Sequence, residues 1–131
     1  MKYKEMITED YVSFETAKLL KEKGFDIQGY ASIKVFGGNT YEVNKEWITP
    51  TEDTIIPTLQ MAMKWLREVH GLFIFISTWL KYKDGTVQYY YEIRNLNDED
   101  FETLYDYTSK ELNSFEKVAE AAIKYCLEKL V

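Results

Sequence analysis

The chain has 131 residues, 46% of them hydrophobic and 16% aromatic, with one cysteine, one histidine and a net charge of -6. That length removes most of the unfolded chain's surface on folding, so one apolar core suffices without disulfides or a structural metal. Eleven tyrosines, seven phenylalanines and three tryptophans exclude a disordered acidic tail, and the single cysteine and histidine exclude an internal disulfide, a Cys-rich zinc site and a multi-histidine metal centre.

The charge excess is local. Between Leu96 and Glu116 stand Asp98, Glu99, Asp100, Glu102, Asp106, Glu111 and Glu116 against one base, Lys110, while the rest of the chain balances. No overall basic footprint exists for phosphate neutralisation, which argues against nucleic acid as a partner. The start, Met1-Lys2-Tyr3-Lys4-Glu5-Met6, contains no apolar signal-peptide core, and the longest apolar run, Leu72 to Ile76, is far below the ~20 residues that span a bilayer. A cytoplasmic protein with no membrane partner is expected. No repeat, low-complexity stretch or linker divides the chain, so residues 1–131 are read as one domain.

In chain order, Ser13 caps a first helix bearing Phe14, Ala17 and Leu20 with Leu19 beside them, and Gly24 ends it with Phe25 folded back on Leu20. Ala31 to Phe36 and Thr40 to Val43 flank Gly37-Gly38-Asn39 and predict a hairpin. Asn44 to Ile56 predicts a surface connection. Pro57-Thr58 opens the clearest helix, with Leu59, Ala62, Met63, Leu66 and Val69 on one face and Gly71 as its stop.

Leu72 to Lys83 and Thr86 to Asn95 flank Asp84-Gly85, which predicts a second hairpin on a type I′ turn. That turn pairs Lys83 with Thr86, and hence Leu80 with Tyr89, Thr78 with Tyr91 and Ile76 with Ile93 on the more aliphatic face. The other face carries Phe73, Phe75, Ser77, Trp79 and Lys81 against Gln88, Tyr90, Glu92 and Arg94. Leu96 to Glu111 fits both periodicities and is read as a short helical turn in a loop. Asn113 or Ser114 caps a last helix to about Lys129, with Phe115, Val118, Ala119, Ala122, Ile123, Cys126 and Leu130 as its stripe and Glu120 paired to Lys124 outside. The fold class is therefore α+β, an antiparallel sheet from two β-hairpins with three amphipathic helices in the order helix, hairpin, helix, hairpin, helix.

Chemistry-bearing motifs are sparse. Gly37-Gly38 has no helix start behind it and is a turn, not a phosphate loop. The run Asp98 to Glu102 lacks the glycine and closing glutamate of an EF-hand and reads as a solvated loop or an acid-rich helix turn. His70, in the last turn of its helix, is expected to satisfy a terminal carbonyl, and Cys126, on an apolar stripe, to be a buried inert thiol. No catalytic residue, cofactor or metal site is assigned.

Ser13 to Phe25, Pro57 to His70 and Ala121 to Glu128 resemble segments of a group of short uncharacterised proteins encoded by phages, prophages and related mobile elements of anaerobic gut bacteria. The resemblance covers the three helices and implies an origin on mobile DNA, with no functional residues to carry over. The leading expectation for function is a small non-enzymatic accessory protein acting through protein contacts. The alternatives are an enzyme with an unrecognised carboxylate site and an acidic mimic of nucleic acid.

One surface stands out. Phe73, Phe75, Trp79 and Tyr90, with Arg94 at the rim, crowd a sheet face that would ordinarily alternate to polar residues. Either the Ala31 to Val43 hairpin, Trp47 or a helix folds over it within the monomer, or it forms a homodimer or docks a host or phage protein.

Overall fold

A computed structural model of the chain describes residues 10–25, 32–35, 41–43, 46–48 and 54–131. The described elements run in the order α1 (Phe14–Glu22), β1 (Ser32–Val35), β2 (Tyr41–Val43), β3 (Glu46–Ile48), β4 (Thr54–Pro57), α2 (Leu59–His70), β5 (Leu72–Lys81), β6 (Val87–Asn95), β7 (Thr103–Thr108) and α3 (Phe115–Tyr125), which continues as a π-helical turn over Cys126–Leu130. The class is α+β, as the alternation of helical and strand patterns predicts.

The caps form where side-chain chemistry places them. Ser13 Oγ accepts the Thr16 N–H at 3.1 Å, Thr58 Oγ1 the Met61 N–H at 3.1 Å, and Ser114 Oγ the Lys117 N–H at 3.1 Å. At the end of α1 the Phe25 N–H reaches Leu20 O at 2.9 Å and the Gly24 N–H reaches Lys21 O at 3.1 Å, with Gly24 left-handed at φ 94°. This is the Schellman pattern, and it turns Phe25 edge-on to Trp65 of α2, 5.5 Å between ring centres.

The main sheet is antiparallel with strand order β5-β6-β7. α2 packs on β5, and α3 on both β5 and β6. Beneath them Tyr91 and Ile93 join Ala62, Leu66, Val118, Ala122 and Ile123 in one buried core, while Ile74, Ile76 and Tyr89 pack against its margin. α1 lies across α3, and the Glu120 carboxylate of α3 accepts the Ser13 N–H at 3.0 Å, the Ser13 hydroxyl at 2.7 Å and the Thr16 hydroxyl. A side-chain carboxylate from one helix thus completes the N-terminus of another. Lys124, expected to pair with Glu120, instead lies 2.7 Å from Glu15, and that contact holds the Glu15 carboxyl below its ordinary range.

Several local expectations are corrected. The first hairpin does not join Ala31 to Phe36 with Thr40 to Val43. β1 pairs with β4, Ser32 opposite Pro57 and Val35 opposite Thr54, and β2 pairs with β3 across the two residues Asn44 and Lys45. Gly37-Gly38-Asn39 lies outside the described residues. The stretch read as a surface connection therefore supplies two strands, and Ile56 at its end is fully buried. Leu96 to Glu111 holds strand β7 rather than a helical turn, with Ile93 opposite Tyr105 and Arg94 opposite Thr103. Between those pairs Leu104 bulges, so Leu104 and Tyr105 both pack towards the core. Phe101, Thr103, Tyr105 and Tyr107 alternate as a strand does, but the extra residue sets Leu104 beside Tyr105 on the core side and so gives the segment a helical spacing as well. In the last helix the expected stripe begins one turn late, because Phe115 is exposed and Val118 is its first buried member.

Gly71 joins α2 directly to β5 in a left-handed conformation, φ 65°, and a Cβ there would sit 2.5 Å from Asn97 Nδ2. Gly71→Ala is expected to cost about 1 to 2 kcal/mol for the left-handed backbone alone. The Asn97 crowding adds to that, and Asn97→Ala in the same chain should recover the added part. Urea unfolding of the single and double variants checks both statements.

Candidate functional site: the outer face of the three-stranded sheet

The β5-β6 connection is a three-residue loop, not a type I′ turn. The Gly85 N–H donates to Tyr82 O at 3.0 Å and the Tyr82 N–H to Thr86 O at 2.8 Å, with Gly85 at φ 93°. Among the described residues the sole non-glycine with positive φ is Phe101, so Asp84 does not supply the second positive φ that type I′ requires. Asp84 Oδ1 instead accepts the Thr86 N–H at 2.8 Å, which also lowers the pKa of that carboxyl. This is a type I turn followed by a glycine bulge.

The loop moves the register by one residue, and a bulge at Trp79 between Thr78 and Leu80 moves it by one more. Ile76 therefore faces Tyr91 and Ile74 faces Ile93, two residues from the expected pairing. Two single shifts restore parity, so Leu72 to Thr78 keep the faces read from the sequence. Beyond the bulge parity is reversed. Leu80 stands opposite Gln88 on the outer face, and Lys81, expected there, stands opposite Val87 on the inner one.

All five residues singled out from the sequence lie on this outer face. Tyr90 is its centre, edge-on to Trp79 at 5.5 Å and to Phe75 at 6.3 Å between ring centres. Arg94 lies 5.8 Å from the Phe75 ring centre and its Nε bonds Glu92 Oε2 at 2.8 Å, while the Thr103 hydroxyl donates to the same oxygen at 2.5 Å. The Arg94 and Thr103 hydrogen bonds hold the Glu92 carboxyl below its ordinary range. Phe73, opposite Arg94, is half-buried. Trp79 is 56% exposed, Leu80 42% and Phe75 38%. Among the described residues this cluster is exposed, and Leu80 belongs to it for a reason no periodicity shows: the bulge turns two successive side chains outward.

On β6 and β7 the turn end of the face is polar and ordered. Gln88, although buried, accepts from the Tyr82 hydroxyl at 2.5 Å and donates to Thr108 Oγ1 at 2.9 Å, and Thr108 in turn donates to Tyr89 O at 2.6 Å. Lys110 Nζ lies 5.9 Å from the Tyr82 ring centre.

Elsewhere the polar candidates have structural work. Asp98 Oδ2 accepts the N–H groups of Asp100 at 2.9 Å and Glu102 at 3.1 Å, so the acidic run is the β6-β7 loop organised by its own first carboxylate. His70 stands edge-on to Trp65 at 4.7 Å, and its Nε2 is buried without a hydrogen-bond partner, so that nitrogen does not satisfy a helix carbonyl. Cys126 is fully buried, and burial pushes its thiol up to about 12. Burial likewise raises the Tyr91 hydroxyl's pKa, with Tyr105, Tyr107 and Tyr125 around it, and Tyr105 stacks on Tyr125 at 3.8 Å. Tyr91, Tyr105 and Tyr125 are core contacts between β6, β7 and α3, while Tyr107 at their edge is exposed. Among the described residues no group of three or more His, Cys, Asp or Glu side chains could hold a metal ion, and no helix is long and apolar enough to cross a membrane. Comparison with models of protein families, with curated proteins and with solved structures finds no match to this chain.

The two faces of the sheet should respond differently to truncation. Trp79→Ser, at an exposed ring, should cost less than about 1 kcal/mol, whereas Ile93→Ala, under α3, should cost about 2 to 5 kcal/mol. Equilibrium urea denaturation compares them directly. Cys126 should resist iodoacetamide in the native protein at pH 8 and react once unfolded in urea, as mass spectrometry will read.

Proposed function

We propose that this chain is a small non-enzymatic protein-binding module, an accessory protein of a mobile genetic element, whose working surface is the outer face of β5, β6 and β7. The observation that carries this reading is the contiguous exposure of Phe75, Trp79 and Leu80 around Tyr90. A wet sheet face normally alternates to polar side chains, and large rings held in an exposed cluster are the usual anchors of a protein interface, with an arginine at the rim. The cluster is also rigid, since its rings stand on paired strands and lose little freedom on docking.

The other two readings draw less support. Glu120 caps α1, Glu92 holds Arg94, Asp84 closes a turn and Asp98 organises a loop, so these carboxylates serve the fold rather than a reaction centre. The same employment of Asp98 within its loop disfavours a free acidic strip that imitates a nucleic-acid backbone. The resemblance of the helices to mobile-element proteins suits an accessory role.

The test is site-specific photo-cross-linking in the producing cell. A photoreactive phenylalanine analogue at position 79 should yield protein adducts, and the same analogue at Lys64, on the solvent side of α2, should yield none. An absence of adducts from position 79 would overturn the proposal.

A further inference from the structure

We infer that the occupant of this face is a second copy of the same chain, in an isologous pair that lays the two outer faces together about the row Ser77, Tyr90 and Thr108. The inference rests on the protein-binding reading above and names the partner. In that row Ser77 stands opposite Tyr90 and Tyr90 opposite Thr108. Towards the Asn95 end of β6 the next outward row is Phe75, Glu92 and Asp106. Towards the turn end the corresponding positions are Trp79 with Leu80 on β5, Gln88 on β6, and Lys110 just past β7, its ammonium over the Tyr82 ring.

A half-turn about an axis along the central row exchanges the two ends and leaves each strand over its own copy. Phe75 then meets the partner's Trp79, and Asp106 meets the partner's Lys110, while Gln88, buried under its own contacts, takes no part. Rings fall on rings, and opposite charges fall on each other at both ends of the pair. No ion pair among the described residues includes Asp106 or Lys110. Asp106 stands directly opposite Glu92, a like charge, and Arg94 is already engaged by Glu92. Within the monomer Asp106 therefore lacks a cation that the half-turn supplies. A foreign protein would require no such symmetry of charges about the aromatic centre, and this complementarity is what favours a second copy.

Three strands about 4.8 Å apart, of ten, nine and six residues, give a footprint on the order of 400 Å². That is small for a stable dimer, so association should be concentration-dependent and weakened by salt. Sedimentation equilibrium of the full chain across a range of concentrations, at low and high salt, reads it. The wild type should pass from one to two times the 15.6 kDa chain mass. Asp106→Lys or Lys110→Asp alone should weaken the dimer about tenfold or more, because each sets like charges in register. The two together should restore it to within about threefold, since the pair is rebuilt with its signs reversed. Asp106→Asn, which adds no repulsion, should weaken it less than Asp106→Lys, and circular dichroism verifies that each variant is folded. A wild type that stays monomeric up to about 1 mM, or a double variant no better than the singles, overturns the second copy as occupant. A monomeric chain that still gives adducts from position 79 with proteins of other masses leaves the binding surface standing, whereas no adducts at all removes both.

Discussion

The structure depends on keeping the aliphatic face of β5 and β6 under α2 and α3. Ile93 and Tyr91 are buried there with Leu66, Val118 and Ile123, and a slip of one residue along the whole pairing would carry that set into water. Two irregularities in the hairpin, the glycine bulge at its loop and the bulge at Trp79, each shift the register by one. Because they come as a pair, the long shared part of the strands retains its parity. The same pair of bulges explains why the outer face is as apolar as it is: Trp79 and Leu80, successive in sequence, both look outward at its turn end.

The helices are tied to one another by polar chemistry at their ends. Glu120 is the clearest case, a carboxylate on the middle of α3 that receives two hydroxyls and one N–H from the start of α1. With Lys124 bound to Glu15 one turn later, α3 carries both an acceptor for the N-terminus of α1 and a cation for its first turn. These contacts orient α1 across α3, while Phe25, swung back by the Schellman turn, fixes its other end against Trp65. The inner side of the molecule is thus closed by rings and capped helix ends. Among the described residues the outer side of the sheet has no equivalent cover over Phe75, Trp79 and Leu80.

That asymmetry connects the fold to function. A sheet packed on one side by helices can leave its other side wet at little cost when that side is polar. Here the side is aromatic, and its exposure is a standing cost that association would relieve. The polar residues around it are arranged, not scattered: Arg94 is engaged by Glu92 and the Phe75 ring, Gln88 by Tyr82 and Thr108, and Asp106 and Lys110, in no ion pair among the described residues, stand on opposite sides of the central row. On the proposed protein-binding reading, a surface ordered in this way favours one docking geometry over unspecific adhesion.

What the amino-acid sequence determined by itself is local. The helix caps at Ser13 and Thr58, a third at Asn113 or Ser114, the stops at Gly24 and Gly71, the turn at Gly85 and the division of β5 into an aliphatic and an aromatic face all follow from residue chemistry within a few positions. The five aromatic and arginine positions of the candidate site were legible for the same reason, since parity within one hairpin placed them together. Tertiary structure decided the rest. The pairing of β1 with β4 and of Glu120 with Ser13 joins residues far apart in the chain, and no propensity encodes such partners. β7 was ambiguous because the bulge sets Leu104 beside Tyr105 and adds a helical spacing to the alternation that marks a strand, and its place beside β6 follows from packing Leu104 and Tyr105 against the core. Leu80 joined the outer face, and Lys81 left it, through a bulge whose position depends on how two whole strands pack. Periodicity reports which side chains share a face only while the pairing is regular, and where packing inserts a residue the face is decided by the contacts that the insertion allows.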